Sequence, residues 1–241
     1  MAVIALQGFR GGTGTTSVTA ALAWGLAQLN EKVLVIDFSP ENLLRLHFGM
    51  PFAQARGWHY AHSAGEHWQQ SAMRYHSHLD FLPYGYSSPE SGNFAKFDWG
   101  KAIEQIKNTG VYDWILIDSP AADPGPAQAI ADSTLVLVHA DTQSHIRLHQ
   151  HILPANGRYL LNQFVPSSQL QQDILLLWQE TLPALIPVIL HRDEAMAESL
   201  AAKQPVGEWK GNSKISREMN TLANWFLLNL RHPKDVRSQI K

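Results

Sequence analysis

Ala5-Leu6-Gln7-Gly8-Phe9-Arg10-Gly11-Gly12-Thr13-Gly14-Thr15-Thr16-Ser17 joins an apolar run to a stretch of helical character. Three glycines in four positions, Gly11, Gly12 and Gly14, let the backbone turn so that successive N–H groups point inward. A helix beginning near Thr15 adds the positive end of its dipole, and such a loop binds anionic oxygens. In the standard nucleotide loop G-x-x-x-x-G-K-[ST], the lysine reaches the β- and γ-phosphates and the hydroxyl reaches Mg²⁺. Aligned on that pattern, Phe9 takes the first glycine, Gly14 the second, Thr15 the lysine and Thr16 the hydroxyl. The segment reads as a phosphate loop without its lysine.

Outward from this loop, short apolar runs at residues 3–6, 33–36, 79–82, 114–117, 135–138, 159–161 and 186–190 alternate with helical stretches. The predicted helices cover residues 15–29, 97–109, 145–151, 169–182, 192–202 and 215–230. Near-continuous apolar strands separated by helices imply an α/β fold, a mostly parallel central sheet with helices on both faces. Leu22, Leu26 and Leu29 recur at helical spacing beside Ala20, Ala21 and Ala23, as in a helix packed closely on a sheet. Between Gly49 and Gly92 the many His, Trp, Tyr and Ser residues follow no period, and ordinary loops with a short helix are the expectation. A partner-binding surface there is the alternative.

The 241 residues, 45% of them apolar, are enough for one core, so a single domain over 1–241 is expected. The net charge of −2 and the lack of a Lys/Arg block leave no footprint for duplex binding, and no nucleic-acid partner is expected. Without cysteine there are no disulfides, thiolate metal sites or iron–sulfur ligands. Met1-Ala2-Val3-Ile4-Ala5-Leu6 has no basic start and its apolar run ends at Gln7, unlike a signal peptide or a membrane span. A cytoplasmic protein is the expectation.

Other patterns accompany the loop. Gly12-x-Gly14-x-x-Ser17, with Asp37 ending the next strand, approximates a dinucleotide fingerprint, although Gln7 to Gly11 intervene after the strand as a longer phosphate loop requires. Trp114-Ile115-Leu116-Ile117-Asp118 is an apolar strand ending in a carboxylate, suited to the Mg²⁺ shell of a phosphate loop. His145 and His149 share one helix face, with His151 nearby, but without a third ligand they read as hydrogen-bonded or surface histidines. The run Leu222 to Leu230, followed by Arg231, Lys234, Arg237 and Lys241, resembles a membrane-surface helix; apolar residues nearly all round suit a last helix packed on the sheet better.

The order of loop, strand ending in Asp37 and Asp118-x-Pro120 resembles the ParA/MinD family of deviant phosphate-loop ATPases over nearly the whole chain. Residues 10–16, 41–46, 145–150 and 191–198 are similar, more closely, to the branch of that family that serves bacterial cellulose biosynthesis. The resemblance implies bound ATP and Mg²⁺ and a homodimer with two ATP molecules sandwiched between subunits. It implies nucleotide contacts from Arg10, Gly11, Gly12, Thr13, Gly14, Thr15, Thr16 and Ser17, from Asn162 as the adenine-reading residue, and from His191, Arg192 and Asp193. Thr16, Asp37 and Asp118 would form the metal shell. Arg10 stands where the family has a lysine reaching the partner's nucleotide, and its guanidinium suits forked contacts to phosphate. Small accessory subunits and the inner-membrane synthase complex are the implied partners, with indirect recruitment to the inner membrane or cell pole.

Two departures bear on activity. Thr15 replaces the loop lysine, and Ser39 replaces a second acid two residues after Asp37, aligned in the family with the attacking water. Losing one charge-assisted contact costs about 1.5–3 kcal/mol, which weakens binding without abolishing it. Hydrolysis suffers more, since a neutral serine is no carboxylate base. No catalytic residue is assigned, and ATP is expected to serve as a long-lived structural ligand. The alternatives are a cycling ParA/MinD-type ATPase that positions a cargo and, on the dinucleotide reading, an oxidoreductase.

Overall fold

A computed structural model describes residues 1–86 and 97–231. Its centre is an eight-stranded sheet in the order β3-β4-β2-β5-β1-β6-β7-β8. The strands are β1 (Ala2–Gly8), β2 (Val33–Asp37), β3 (Met73–His76), β4 (Leu79–Leu82), β5 (Trp114–Ser119), β6 (Ser133–Val138), β7 (Gly157–Phe164) and β8 (Leu185–His191). All neighbours run parallel except β3 and β4. Among the described residues the helices are α1 (Thr15–Gln28), α2 (Trp58–Ser63), α3 (Trp99–Thr109), α4 (Gly125–Gln128), α5 (Thr142–Leu148), α6 (Gln169–Thr181), α7 (Glu194–Ala201), α8 (Val206–Trp209) and α9 (Lys214–Asn229). The expected α/β class, with helices on both faces, is the observed one.

Strand alternation divides the core between the two faces. Ile4, Leu6, Val33, Val35 and Leu116 pack with α1 and α9 on one side, while Val3, Ala5, Leu34, Ile36, Ile115 and Ile117 meet Trp58, Trp99, Ile103 and Ile106 on the other. Helix α1 is pressed between sheet and α9: a Cβ placed on Gly25 would lie 3.3 Å from the Ala223 Cβ. Leu22 and Leu26 are fully buried there. Truncating either to alanine costs about 2–5 kcal/mol.

Several boundaries depart from the sequence expectation for identifiable reasons. The carboxylate of Asp141 accepts the Ser144 N–H at 2.7 Å, so α5 starts at Thr142; it ends at Leu148, before His149. Asp193 accepts the Ala195 N–H, which starts α7 at Glu194 and leaves His191 on β8. The aperiodic region after Gly49 folds around rings, with Trp58 packed against Tyr84, Phe97 and Trp99; it holds α2, a 3-10 turn at Trp68–Ser71 and the unforeseen strand β3. Its residues 87–92 lie outside the described ones. Helix α9 packs on the core as expected, but its apolar residues are not distributed all round: Ile215, Met219, Leu222 and Phe226 are buried while Leu228 is exposed. Arg231 is paired with Glu31 at 3.2 Å, and Lys234, Arg237 and Lys241 lie outside the described residues.

The topology creates one crevice. After β1 the chain passes through α1 to β2, leaving β5 to be inserted between them later, so the carboxyl ends of β1, β2 and β5 open together. Open α/β sheets bind their ligands at such a switch point.

Candidate functional site

The loop after β1 tucks its own hydroxyls over the strand end. Thr13 Oγ1 lies 3.2 Å from Thr15 Oγ1 and donates to the Arg10 carbonyl at 3.1 Å. A Cβ on Gly8 would fall 2.2 Å from Thr13 Oγ1, so only glycine admits this turn. Gly12 and Gly14 have φ of +78° and +82°, and Gly14 begins α1 without a side-chain cap. The helix N-terminus therefore faces a cleft of about 580 Å³, whose walls include Arg10, Gly11, Gly12, Thr13, Gly14, Thr15, Thr16, Ser17, Ser39 and Asp118.

Asp118 lines the cleft from β5, and Asp37 is its register partner on β2; both are buried. Asp37 Oδ1 accepts the Ser39 N–H at 2.8 Å, but Asp37 Oδ2 and Asp118 Oδ2 are buried without a hydrogen-bond partner. Burial and the neighbouring Asp118 charge raise the Asp37 carboxyl well above the ordinary range. Burial pushes Asp118 up to about 7, against the stabilising hydroxyl of Thr16. Two unsatisfied buried carboxylate oxygens beside a hydroxyl are a hard, oxygen-rich donor set that suits Mg²⁺. The fold thus brings Thr16, Asp37 and Asp118 together.

A second cleft of about 310 Å³ shares Gly14 and Ser17 with the first and is lined by Asn162, Gln163, His191, Arg192 and Asp193. Asn162 is buried and donates Nδ2 to the Thr13 carbonyl at 2.7 Å. Glu218 of α9 accepts the His191 N–H at 2.8 Å and meets His191 Nδ1 at 2.7 Å, holding the ring at the rim. Asp193 receives the N–H groups of Ala195 and Ile215, and so ties the starts of α7 and α9. All four residues expected at the base end gather here, with the Asp193 carboxylate engaged in capping.

Arg10 folds back onto its own chain, donating Nη2 to Asp141 Oδ2 at 2.6 Å. Burial raises the Asp141 carboxyl, but the Ser144 N–H and Arg10 outweigh it and hold the group below its usual value. His145 accepts the Trp178 indole N–H at 3.1 Å, a hydrogen-bonded histidine as read from the sequence.

Other lining residues were not foreseen. Glu41 and Arg147 line the first cleft; both sit in runs that carried the family resemblance, which was their signal. His47 lies buried beneath the loop, with Nε2 3.4 Å from Ser17 Oγ, and burial lowers its pKa to about 4. Gln163 and Glu218 had no sequence signal, because their places depend on a strand irregularity and on a helix packed from far along the chain.

The family model described as cellulose biosynthesis protein BcsQ matches residues 1–227. The chain belongs to the BcsQ family. The BcsQ protein of Escherichia coli K12 is 46% identical over 238 residues, covering 95% of each chain, and that of Salmonella typhimurium LT2 is 45% identical with the same coverage. Among solved structures, the MinD cell division protein of Aquifex aeolicus superposes with a TM-score of 0.76 at 22% identity, covering 95% of this chain and 98% of its own. The septum site-determining protein MinD of Pyrococcus horikoshii OT3, complexed with Mg-ADP, gives 0.71 at 21% identity, covering 96% and 99%. The fold is that of ParA/MinD-type phosphate-loop proteins.

Proposed function

We propose that this protein is an ATP-binding, scaffold-like component of the bacterial cellulose secretion machinery, acting as an ATP-sandwiched homodimer with little or no hydrolysis. The observation that carries this reading is the contrast within the first cleft. The anion cradle and the buried acid pair are intact, yet Thr15 and Ser39 stand where the family resemblance calls for a lysine and a second acid. Backbone N–H groups at the start of α1 bind phosphate oxygens, and Arg10 extends to the nucleotide of a facing subunit. Thr16, Asp37 and Asp118 hold Mg²⁺, which supplies charge neutralisation at the phosphates. Asn162, His191 and Arg192 seat the base, while Asp193 and Glu218 keep that wall in place. The long-lived dimer presents a surface to small accessory subunits and to the inner-membrane synthase complex. The whole chain, 1–241, acts as one cytoplasmic nucleotide-binding domain recruited indirectly to the inner membrane or cell pole. Among the described residues no helix is long and apolar enough to cross a membrane.

The test is prolonged incubation with Mg²⁺ and ATP, followed by native mass measurement and identification of the released nucleotide. Intact ATP at about one per chain on a dimer supports the clamp; ADP on a monomer refutes it. A second reading, a cycling ATPase that positions a cargo, draws on Glu41, a carboxylate lining the cleft beside Ser39. Sustained phosphate release that stops in Glu41→Gln would establish it.

A further inference from the structure

Strand β7 does not finish regularly. Its register against β8 slips between Leu161 and Phe164, and within that interval Gln163 takes φ +57°, a left-handed conformation that a non-glycine residue adopts at a cost. In a regular strand Asn162 and Gln163 would point to opposite faces. The irregularity instead turns both side chains toward the phosphate loop. Asn162 Nδ2 reaches the Thr13 carbonyl at 2.7 Å, and Gln163 Nε2 reaches the Gly12 carbonyl at 3.4 Å. The fit is close on both: a Cβ on Gly14 would lie 3.0 Å from Asn162 Nδ2 and 3.4 Å from Gln163 Nε2.

Peptide planarity gives this pairing a directional consequence. In a trans peptide the carbonyl of one residue and the N–H of the next point in opposite directions. A carbonyl of Gly12 drawn toward Gln163 aims the Thr13 N–H the other way, and a Thr13 carbonyl drawn toward Asn162 does the same for the Gly14 N–H. A phosphate loop with lysine has a side-chain charge to gather the phosphates. This loop, with Thr15 in that place, depends more heavily on the aim of its backbone donors.

The geometry points to Gln163 as a positioning residue for nucleotide binding, whose side-chain amide, delivered by the strained end of β7, pins the Gly12 carbonyl and presets the Thr13 N–H. Asn162 completes the grip one peptide further on. Both amides also line the second cleft, so the base end and the phosphate end of the site rest on one support. This inference rests on the nucleotide-binding reading above, but its structural half concerns the ligand-free loop.

Two variants of the full-length protein test it. Gln163→Gly relieves the left-handed strain and removes the amide, so the ligand-free melting temperature stays about where it was or rises. In the same variant, ATP affinity falls by about tenfold, as for loss of one hydrogen bond that orders a site. Gln163→Glu keeps the size but sets a carboxylate against a carbonyl, and ATP affinity falls further. Amide hydrogen exchange without nucleotide, read over Gly12 to Thr16, accelerates at Thr13 in both variants. Unchanged exchange together with unchanged ATP affinity overturns the inference, as does a loss of affinity explained by a parallel loss of stability. If the parent protein binds no ATP, the nucleotide reading falls, and unaltered exchange in the variants then sinks the loop clamp separately.

Discussion

Asp37 and Asp118 face each other as register partners on adjacent parallel strands, each with one buried carboxylate oxygen that no protein group satisfies. Two such charges destabilise a folded core unless a proton or a cation comes between them. Strand pairing brings them together, because β5, late in the chain, inserts between β1 and β2.

The acid pair sets a pH dependence in metal-free buffer. Asp118 titrates at about 7 in the fold against 3.8 for an ordinary aspartate, so the native state holds the extra proton between those values. Stability is therefore fully present at the acid end of that window and is lost as pH rises through it. Asp118→Asn removes one buried charge and should stabilise the metal-free protein at pH 8 by on the order of 2 kcal/mol. It should also abolish any further stabilisation by Mg-ATP. Thermal melts in chelator and in Mg-ATP measure both; a lower melting point in chelator would contradict the account.

His47 imposes the opposite slope. Its folded pKa of about 4 lies below the 6.5 of a free histidine, so the unfolded chain binds the proton first. Its contribution is fully present above pH 6.5 and is lost as pH falls toward 4, by about 3 kcal/mol in all. His47→Gln in an Asp118→Asn background, where the carboxylate slope is reduced, should flatten the acid limb of urea midpoints between pH 7 and pH 4.5. An unchanged limb would show that His47 is not its source.

The Arg10–Asp141 pair, about a third exposed at both ends, contributes less than about 1 kcal/mol to the fold. Releasing Arg10 for a contact across subunits is thus inexpensive. Arg10→Ala should leave the melting temperature and ATP binding by the monomer nearly intact while abolishing the proposed ATP-dependent dimer. Asp141→Asn should leave dimerisation intact or strengthen it. Sedimentation with and without ATP reads the difference, and a dimer that survives Arg10→Ala removes Arg10 from the interface.

On the function proposed above, Ser39 is the residue that keeps turnover slow. Its N–H donates to Asp37 and its Oγ accepts the Glu41 N–H, so the side chain sits at the cleft wall beside the acid pair. Ser39→Asp supplies a carboxylate there and should raise ATP hydrolysis by about 10²-fold, within the range for a positioned general base. Phosphate release over hours checks it; no gain in the variant would place the block elsewhere, with Thr15 next in line.

Much of this architecture was legible in the chain because its signals are local. Apolar runs and their spacing give strand and helix, glycine at positions 12 and 14 permits the left-handed loop, and a carboxylate after an apolar run marks Asp37 and Asp118. The illegible parts are those in which a local preference is overridden or completed from a distance. Strand β3 alternates half-buried and exposed residues without a buried face of its own, and exists because β4 offers it an antiparallel edge. Asp141 and Asp193 announced helix starts that the apolar period alone placed wrongly, since a side-chain cap outweighs periodicity at a boundary.

The sequence by itself determined the α/β class, the glycine-rich loop, the absent loop lysine and the neutral residue at position 39, because each is a matter of which side chain occupies a locally defined place. Only the tertiary structure decided that Asp37 and Asp118 share one buried space, that Glu218 holds His191, and that Gln163 turns back on the Gly12 carbonyl. Those relationships depend on strand order, on helix docking and on a register slip. Each brings together groups far apart along the chain, and no local pattern of residues encodes the result.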